Sequence, residues 1–327
     1  MFKLFRSLAL ALPAAVLVPF AAVPAHALDG VVASIKPVHS LVAAVMEGMG
    51  EPALIVRGAG SEHAHSLRPS DAAALERAKI VFRIGEDMET FLNGALKTLA
   101  AGAKVVSLED TPGLEKLPFR EGGPFEAHSH GDDEDDDSHD HGDHAHDDHG
   151  HAHDEHDLHF WLDPVNARAM VAGIARVLGE ADPDNAARYG ENAEAYAARL
   201  DALVGEVDAV VAPVRARPAI VFHDAYQYFE KRFGVNVAGS ITVNPDVLPG
   251  AQRVSEIREK VKELGGVCVF SEPQFEPKLV SAVTEGTPAR TGVLDPLGAE
   301  IADGPDLYIT LIRNLGRSFA DCLSRAG

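Results

Sequence analysis

Four places in the chain set an imidazole or a carboxylate where folding would hold it still. Arg57-Gly-Ala-Gly-Ser-Glu62-His63 puts an acid and a histidine in a glycine-rich loop after a strand-like run. Asp157-Leu-His159-Phe-Trp-Leu-Asp163-Pro164 puts a histidine just before a helix whose expected cap is Asp163 and whose first residue is Pro164. Ala219-Ile-Val-Phe-His223-Asp224 ends a strand-like run on a histidine, with Asp224 the expected cap of the next helix, and Val293-Leu-Asp295 ends another on a carboxylate. Neutral imidazoles and carboxylates are donors for a divalent cation, and the same groups serve as general acids and bases. A second population stands apart. Ten histidines, His128, His130, His139, His141, His144, His146, His149, His151, His153 and His156, crowd into one acidic stretch.

The elements that must position the first group come in two sets. Apolar β-type runs at 31–35, 54–57, 80–84 and 104–108 alternate with helical patterns, and runs at 219–223, 236–241, 267–271 and 290–294 do the same. This alternation predicts an α/β fold of two lobes, each a roughly four-stranded, mostly parallel sheet flanked by helices. Between the sets, Tyr189, Ala193, Tyr196, Leu200, Leu203, Val207 and Val210 form an apolar stripe at intervals of four and three, after Asp182-Pro183 and before Pro213. The stripe predicts one long rigid helix over 184–211 that bridges the lobes. A coiled-coil dimer would use the same stripe, but burial within one chain is the simpler use of three heptads, so a monomer is expected. Ligands of open α/β sheets bind beyond the carboxyl ends of strands, which is where His63, His223 and Asp295 fall.

Composition bounds the rest. The chain has 327 residues, 46% hydrophobic, and a net charge of −21, which describes an acidic globular protein large enough for two domains. Residues 126–157 hold 14 of the acidic side chains and no Lys or Arg, leaving −7 for everything else. That sign disfavours nucleic acid and favours cations. The start reads as a signal peptide over 1–27: a basic Met1 to Arg6, an apolar run from Leu8 to Val23 broken by Pro13 and Pro19, then Ala25-His26-Ala27, with cleavage near Ala27 and export to the periplasm. The run is too short and too interrupted for a membrane anchor. In an oxidising compartment the lone pair Cys268 and Cys322 points to a disulfide, the alternative being two buried thiols that never meet. The expected division is a first lobe over 28–182 carrying a disordered His/Asp-rich insert at 122–157, a linking helix over 183–212 and a second lobe over 213–327.

Ser34-Ile-Lys-Pro-Val-His-Ser40, Gly60-Ser-Glu-His-Ala-His-Ser-Leu-Arg-Pro-Ser-Asp71, His159-Phe-Trp-Leu-Asp-Pro164, Phe222-His-Asp-Ala-Tyr-Gln-Tyr-Phe229 and Leu294-Asp-Pro-Leu-Gly298 resemble, in order, the ZnuA-type branch of the periplasmic metal-binding proteins. The resemblance implies a non-enzymatic binding protein that captures Zn²⁺ between two lobes and delivers it to an ABC permease with a cytoplasmic ATPase. It also leaves room for a periplasmic zinc chaperone as a further partner. It maps the ligand histidines onto His63, His159 and His223, with Glu62 or Asp295 as the fourth ligand. His65 stands where relatives often carry a tyrosine, either as an inert replacement or as an alternative ligand, and His39 reads as structural. Three imidazoles and one carboxylate suit zinc better than manganese, although a manganese carrier remains an alternative. A zinc hydrolase also needs three ligands and an open position, but no H-E-x-x-H motif or placed general base accompanies these histidines. An adhesin is a further alternative; the leader lacks the cysteine that a lipid anchor requires.

The insert reads as a low-affinity collector, since acidity alone would have supplied solubility without ten histidines. Deleting 122–157 is expected to reduce the number of Zn²⁺ ions bound at neutral pH. Because imidazole must be neutral to bind, the extra capacity should fall as pH drops below about 6.5. Equal stoichiometry in equilibrium dialysis with and without the insert would rule the collector out.

Overall fold

The computed structural model describes residues 28–120, 122, 125, 156–245 and 247–325. The signal segment and His128 to His153 lie outside the described residues. In the first lobe β1 (Val31–Ala33), α1 (Lys36–Val45), β2 (Ala53–Leu54), α2 (Pro69–Glu76), β3 (Ile80–Arg83), α3 (Thr90–Thr98) and β4 (Lys104–Ser107) build a sheet of order β2-β1-β3-β4. After α4 (Pro164–Ala181) and the long α5 (Ala186–Val211), the second lobe repeats the plan. There β5 (Pro218–His223), α6 (Gln227–Phe233), β6 (Asn236–Thr242), α7 (Ala251–Leu264), β7 (Cys268–Ser271), α8 (Lys278–Thr284) and β8 (Arg290–Val293) give the order β6-β5-β7-β8, and α9 (Leu307–Arg325) closes the chain. All strand pairs in both sheets are parallel. Seven of the eight strand-like runs of the sequence correspond closely to strands, while β2 meets the run 54–57 only at Leu54, the chain turning away into the loop after it.

The long helix buries Tyr189, Ala193, Tyr196, Leu200, Leu203, Val207 and Val211. The last member is Val211 rather than Val210, because a helix of 3.6 residues per turn drifts off a 3.5-residue repeat. The helix packs within the chain against α1, α4 and α9. Its approach to α9 is close: a methyl group at Gly316 would lie 2.9 Å from Val207 Cγ1.

Period-two alternation sorts the second sheet. Ala219, Val221, Cys268 and Phe270 join a core that continues into the first lobe, whereas Ile220, Phe222, Val267 and Val269 face a separate cluster with Ile257, Val261, Val280 and Val283. The lobes thus share one core and cannot part without exposing it. Polar bonds reinforce the seam. Buried Lys36 donates to Ala299 O and Ile301 O at 3.2 and 2.8 Å, Trp161 Nε1 donates to Pro296 O at 3.0 Å, and Tyr308 OH donates to Trp161 O at 2.6 Å. Among the described residues no helix is long and apolar enough to cross a membrane.

The same alternation turns Cys268 toward α9, where Cys322 meets it in a disulfide with Cα atoms 6.1 Å apart. It closes a separation of 54 residues, which in the chain-entropy account stabilises the fold by about 4 kcal/mol. A Cys268→Ala/Cys322→Ala variant should lose about that much in urea unfolding, and dithiothreitol should lower the wild type to the same level while leaving the variant unmoved. An unchanged midpoint in the variant would show that the bridge contributes nothing.

Candidate metal centre

The two sheets bring their carboxyl ends to one cleft. His223 is the last residue of β5, and Glu62 and His63 lie in the loop between β2 and α2. His159 precedes the short turn Phe160–Leu162 that leads into α4. As expected, Asp163 caps α4, accepting from Val165 N at 2.9 Å, with Pro164 first in the helix. Asp224 does not cap α6. The helix starts beyond Tyr226, and Asp224 instead pairs with Arg120.

Glu62, His63, His159 and His223 each offer a donor atom, and these atoms lie within 4.8 Å of one another. His159 Nε2 and His223 Nε2 are 3.4 Å apart, and Glu62 Oε1 stands 3.9 Å from both His63 Nε2 and His223 Nε2. Ligands about 2.0–2.1 Å from a tetrahedral zinc are separated by roughly 3.4 Å, so the group needs only a small contraction to close on an ion. Glu62, His159 and His223 are buried while the His63 side chain is 23% exposed, which makes His63 the open side of the group. Neither oxygen of Glu62 accepts a hydrogen bond among the described residues. A buried carboxylate without donors fits a cation better than any neutral neighbour.

Two further carboxylates aim the rings. His223 Nδ1 lies 2.7 and 2.8 Å from the two oxygens of Glu272, which also accepts from Tyr226 OH at 3.0 Å. His159 Nδ1 lies 2.7 Å from Asp157 Oδ1, and that oxygen also accepts His159 N at 2.9 Å. With Nδ1 committed, the lone pair left for a metal is on Nε2, the arrangement that fixes metal-binding histidines generally. Glu272 directly follows the run 267–271, so the strand-end rule that selects Asp295 applies to it equally and is the one local signal for it. Asp157 matches the insert in composition, yet its carboxylate belongs to this centre through His159.

The remaining sequence candidates fall elsewhere. Asp295 does not join the group. Its Oδ1 accepts from Gln274 Nε2, Leu297 N and Gly298 N at 3.0, 3.1 and 2.8 Å, and its Oδ2 from Ala299 N at 2.6 Å, tying the turn that Lys36 grips. His39 Nε2 bonds Pro52 O at 3.0 Å. His65 packs on Phe91 with ring centroids 5.5 Å apart and faces Asp71. Of the insert histidines, His156 is within the described residues; it pairs in a bridge with Pro118, and its Nε2 lies 3.8 Å from Glu109.

A profile of the family described as periplasmic zinc-uptake complex component A, ZnuA, matches residues 31–322. The chain belongs to this family. As a ZnuA-family protein it is a transport component of the periplasm with no enzymatic step, working with an ABC permease and its ATPase. It is 58% identical over 308 residues to the high-affinity zinc uptake system protein ZnuA of Brucella suis biovar 1, covering 91% of this chain and 92% of the relative. It is 34% identical over 301 residues to the protein of the same description from Yersinia pestis, covering 90% and 91%. A crystal structure of ZnuA superposes with a TM-score of 0.70 at 24% identity over 89% of this chain and 98% of that one, which shows a common fold.

Protons compete with a metal here. Burial raises the Glu62 carboxyl above the ordinary range against the pull of His223 and His159. Burial opposes charge on His223, but the charge and hydrogen bond of Glu272, helped by Glu62 and Asp224, hold its imidazole up at about 9. A cation must displace that proton, so affinity should gain about tenfold per pH unit as the proton becomes easier to remove, and level off above about pH 9. Glu272→Gln should weaken Zn²⁺ binding by about 10- to 100-fold and move the levelling-off to lower pH. Calorimetry in buffers of different ionisation enthalpy counts the released protons; superposable pH profiles for the two proteins would refute the role given to Glu272.

Proposed function

We propose that this protein is the periplasmic component that captures Zn²⁺ in the cleft between its lobes and hands it to an ABC permease. The observation that carries the reading is the convergence of Glu62, His63, His159 and His223, drawn from both lobes, on one buried point. His63, His159 and His223 bind through Nε2, and Glu62 supplies the fourth donor and the negative charge. Three imidazoles with one carboxylate favour zinc, since manganese prefers a set richer in oxygen. That relatives such as the Brucella suis and Yersinia pestis proteins are named for high-affinity zinc uptake supports the same choice.

In this reading 1–27 is a signal peptide removed near Ala27, 28–182 the first lobe, 183–212 the linking helix and 213–327 the second lobe of a monomer. The His/Asp-rich insert holds additional zinc near the cleft, and a periplasmic zinc chaperone is a further source of the ion. Because the lobes share a core and the buried bonds of Lys36, Trp161 and Tyr308, loading proceeds by loop and side-chain movement on the His63 side rather than by wide hinge opening.

Trp161 is the only tryptophan, fully buried, with its ring 5.1 Å from that of His159. Titration with Zn²⁺ should give one tight phase that changes Trp161 fluorescence and weaker phases, from the insert, that do not. His159→Ala should abolish the first and spare the rest. A variant that kept the tight phase at wild-type affinity would remove His159 from the site and with it this reading of the cleft.

A further inference from the structure

His159 and His223 are held by carboxylates on their far ring nitrogens, but Glu62 and His63 lie in a segment with neither helix nor strand between β2 and α2. Ligands can be preorganised only if the backbone that carries them is fixed. One side chain reaches the beginning, middle and end of this loop. Asp71, third residue of α2 and completely buried, accepts from Arg57 Nη1 at 2.7 Å and Ser70 Oγ at 3.3 Å through Oδ1. Through Oδ2 it accepts from Arg68 N at 2.9 Å, and His65 Nε2 lies 3.6 Å from the same oxygen. Arg57 opens the loop, Arg68 closes it, and His65 is two residues beyond His63. The His65 ring is backed by Phe91, so it is braced between that ring and Asp71.

We propose that Asp71 is a positioning residue of the metal centre, clamping the 57–68 loop so that Glu62 and His63 face His159 and His223, with His65 as a strut of the clamp rather than a ligand. The inference rests on the reading of Glu62 and His63 as zinc ligands. An amide in place of the carboxylate would remove the charge facing Arg57 and turn a donor toward either Arg57 or Arg68 N, so the clamp cannot survive as Asn. The freed loop would then have to be ordered by the metal itself, at the expense of affinity.

The test uses the full chain, Zn²⁺ affinity by competition with a chromogenic chelator, and the visible absorption of bound Co²⁺, which reports coordination geometry independently of stability. Asp71→Asn should weaken Zn²⁺ binding by about 10- to 100-fold and alter the position or intensity of the Co²⁺ bands. Arg57→Gln, at a partly exposed position, should act in the same direction and carries the test if Asp71→Asn does not fold. Cys268→Ala/Cys322→Ala, destabilised away from the loop, should retain wild-type affinity and spectrum, separating positioning from general stability. Wild-type affinity and spectrum in folded Asp71→Asn, or in Arg57→Gln where the first does not fold, overturn the inference while a loss in His63→Ala leaves the ligand reading standing. Wild-type affinity in His63→Ala overturns both.

Discussion

A buried carboxylate that no other described residue supplies with a hydrogen-bond donor is the constraint around which the rest of the centre is arranged. Removing Glu62 from water costs several kcal/mol unless an opposite charge or donors replace the solvent, and no donor reaches either oxygen among the described residues. What faces it instead are imidazoles at 3.9 Å, whose own protons are in competition with any cation that enters. The free protein can relieve the site by holding a proton. A divalent ion relieves it more completely, because it satisfies the carboxylate and the Nε2 lone pairs together. Capture is favourable because the ion supplies what burial has taken from the carboxylate.

Such a site is useful only if its walls do not collapse onto one another. Glu272 and Asp157 lock two rings from behind, and Asp71 reaches three points of the loop that carries the other donors. Behind these, α5 and α9 join the lobes through one continuous apolar core, and Lys36, Trp161 and Tyr308 bond across the seam. The stiffness of the frame leaves the His63 side as the place where the centre can yield. In the proposed function, release to a permease would come from a change in that loop rather than from a separation of domains.

The insert is tied to the centre more closely than its composition implies. Asp157 N donates to Leu117 O, Leu117 N donates to Tyr228 OH, and Tyr228 OH donates to Asp157 O, so both edges of the insert are fastened to α6 of the second lobe. Gln227 reaches Pro118 O and the second oxygen of Asp157. The chain that leaves toward the histidine-rich stretch therefore returns through the carboxylate that holds His159.

The resemblance of five ordered motifs singled out His63, His159 and His223, and local patterns in the sequence pointed to the strands, the long helix, the Asp163 cap and the candidate bridge between Cys268 and Cys322. These depend on alternation, helical periodicity, capping chemistry and strand ends, all of which are written within a few residues. The choice between Glu62 and Asp295 was not legible, because both follow strand-like runs and only the packing shows Asp295 absorbed by its own turn. Nor was the role of Glu272, which meets His223 across 49 positions, or that of Asp71, whose partners include a side chain 14 residues away. Which residues can donate to a metal is a property of side-chain chemistry, and the sequence determined it. Which of them share one point, and which carboxylates stand behind them, depends on contacts between distant segments, and only the tertiary structure decided that.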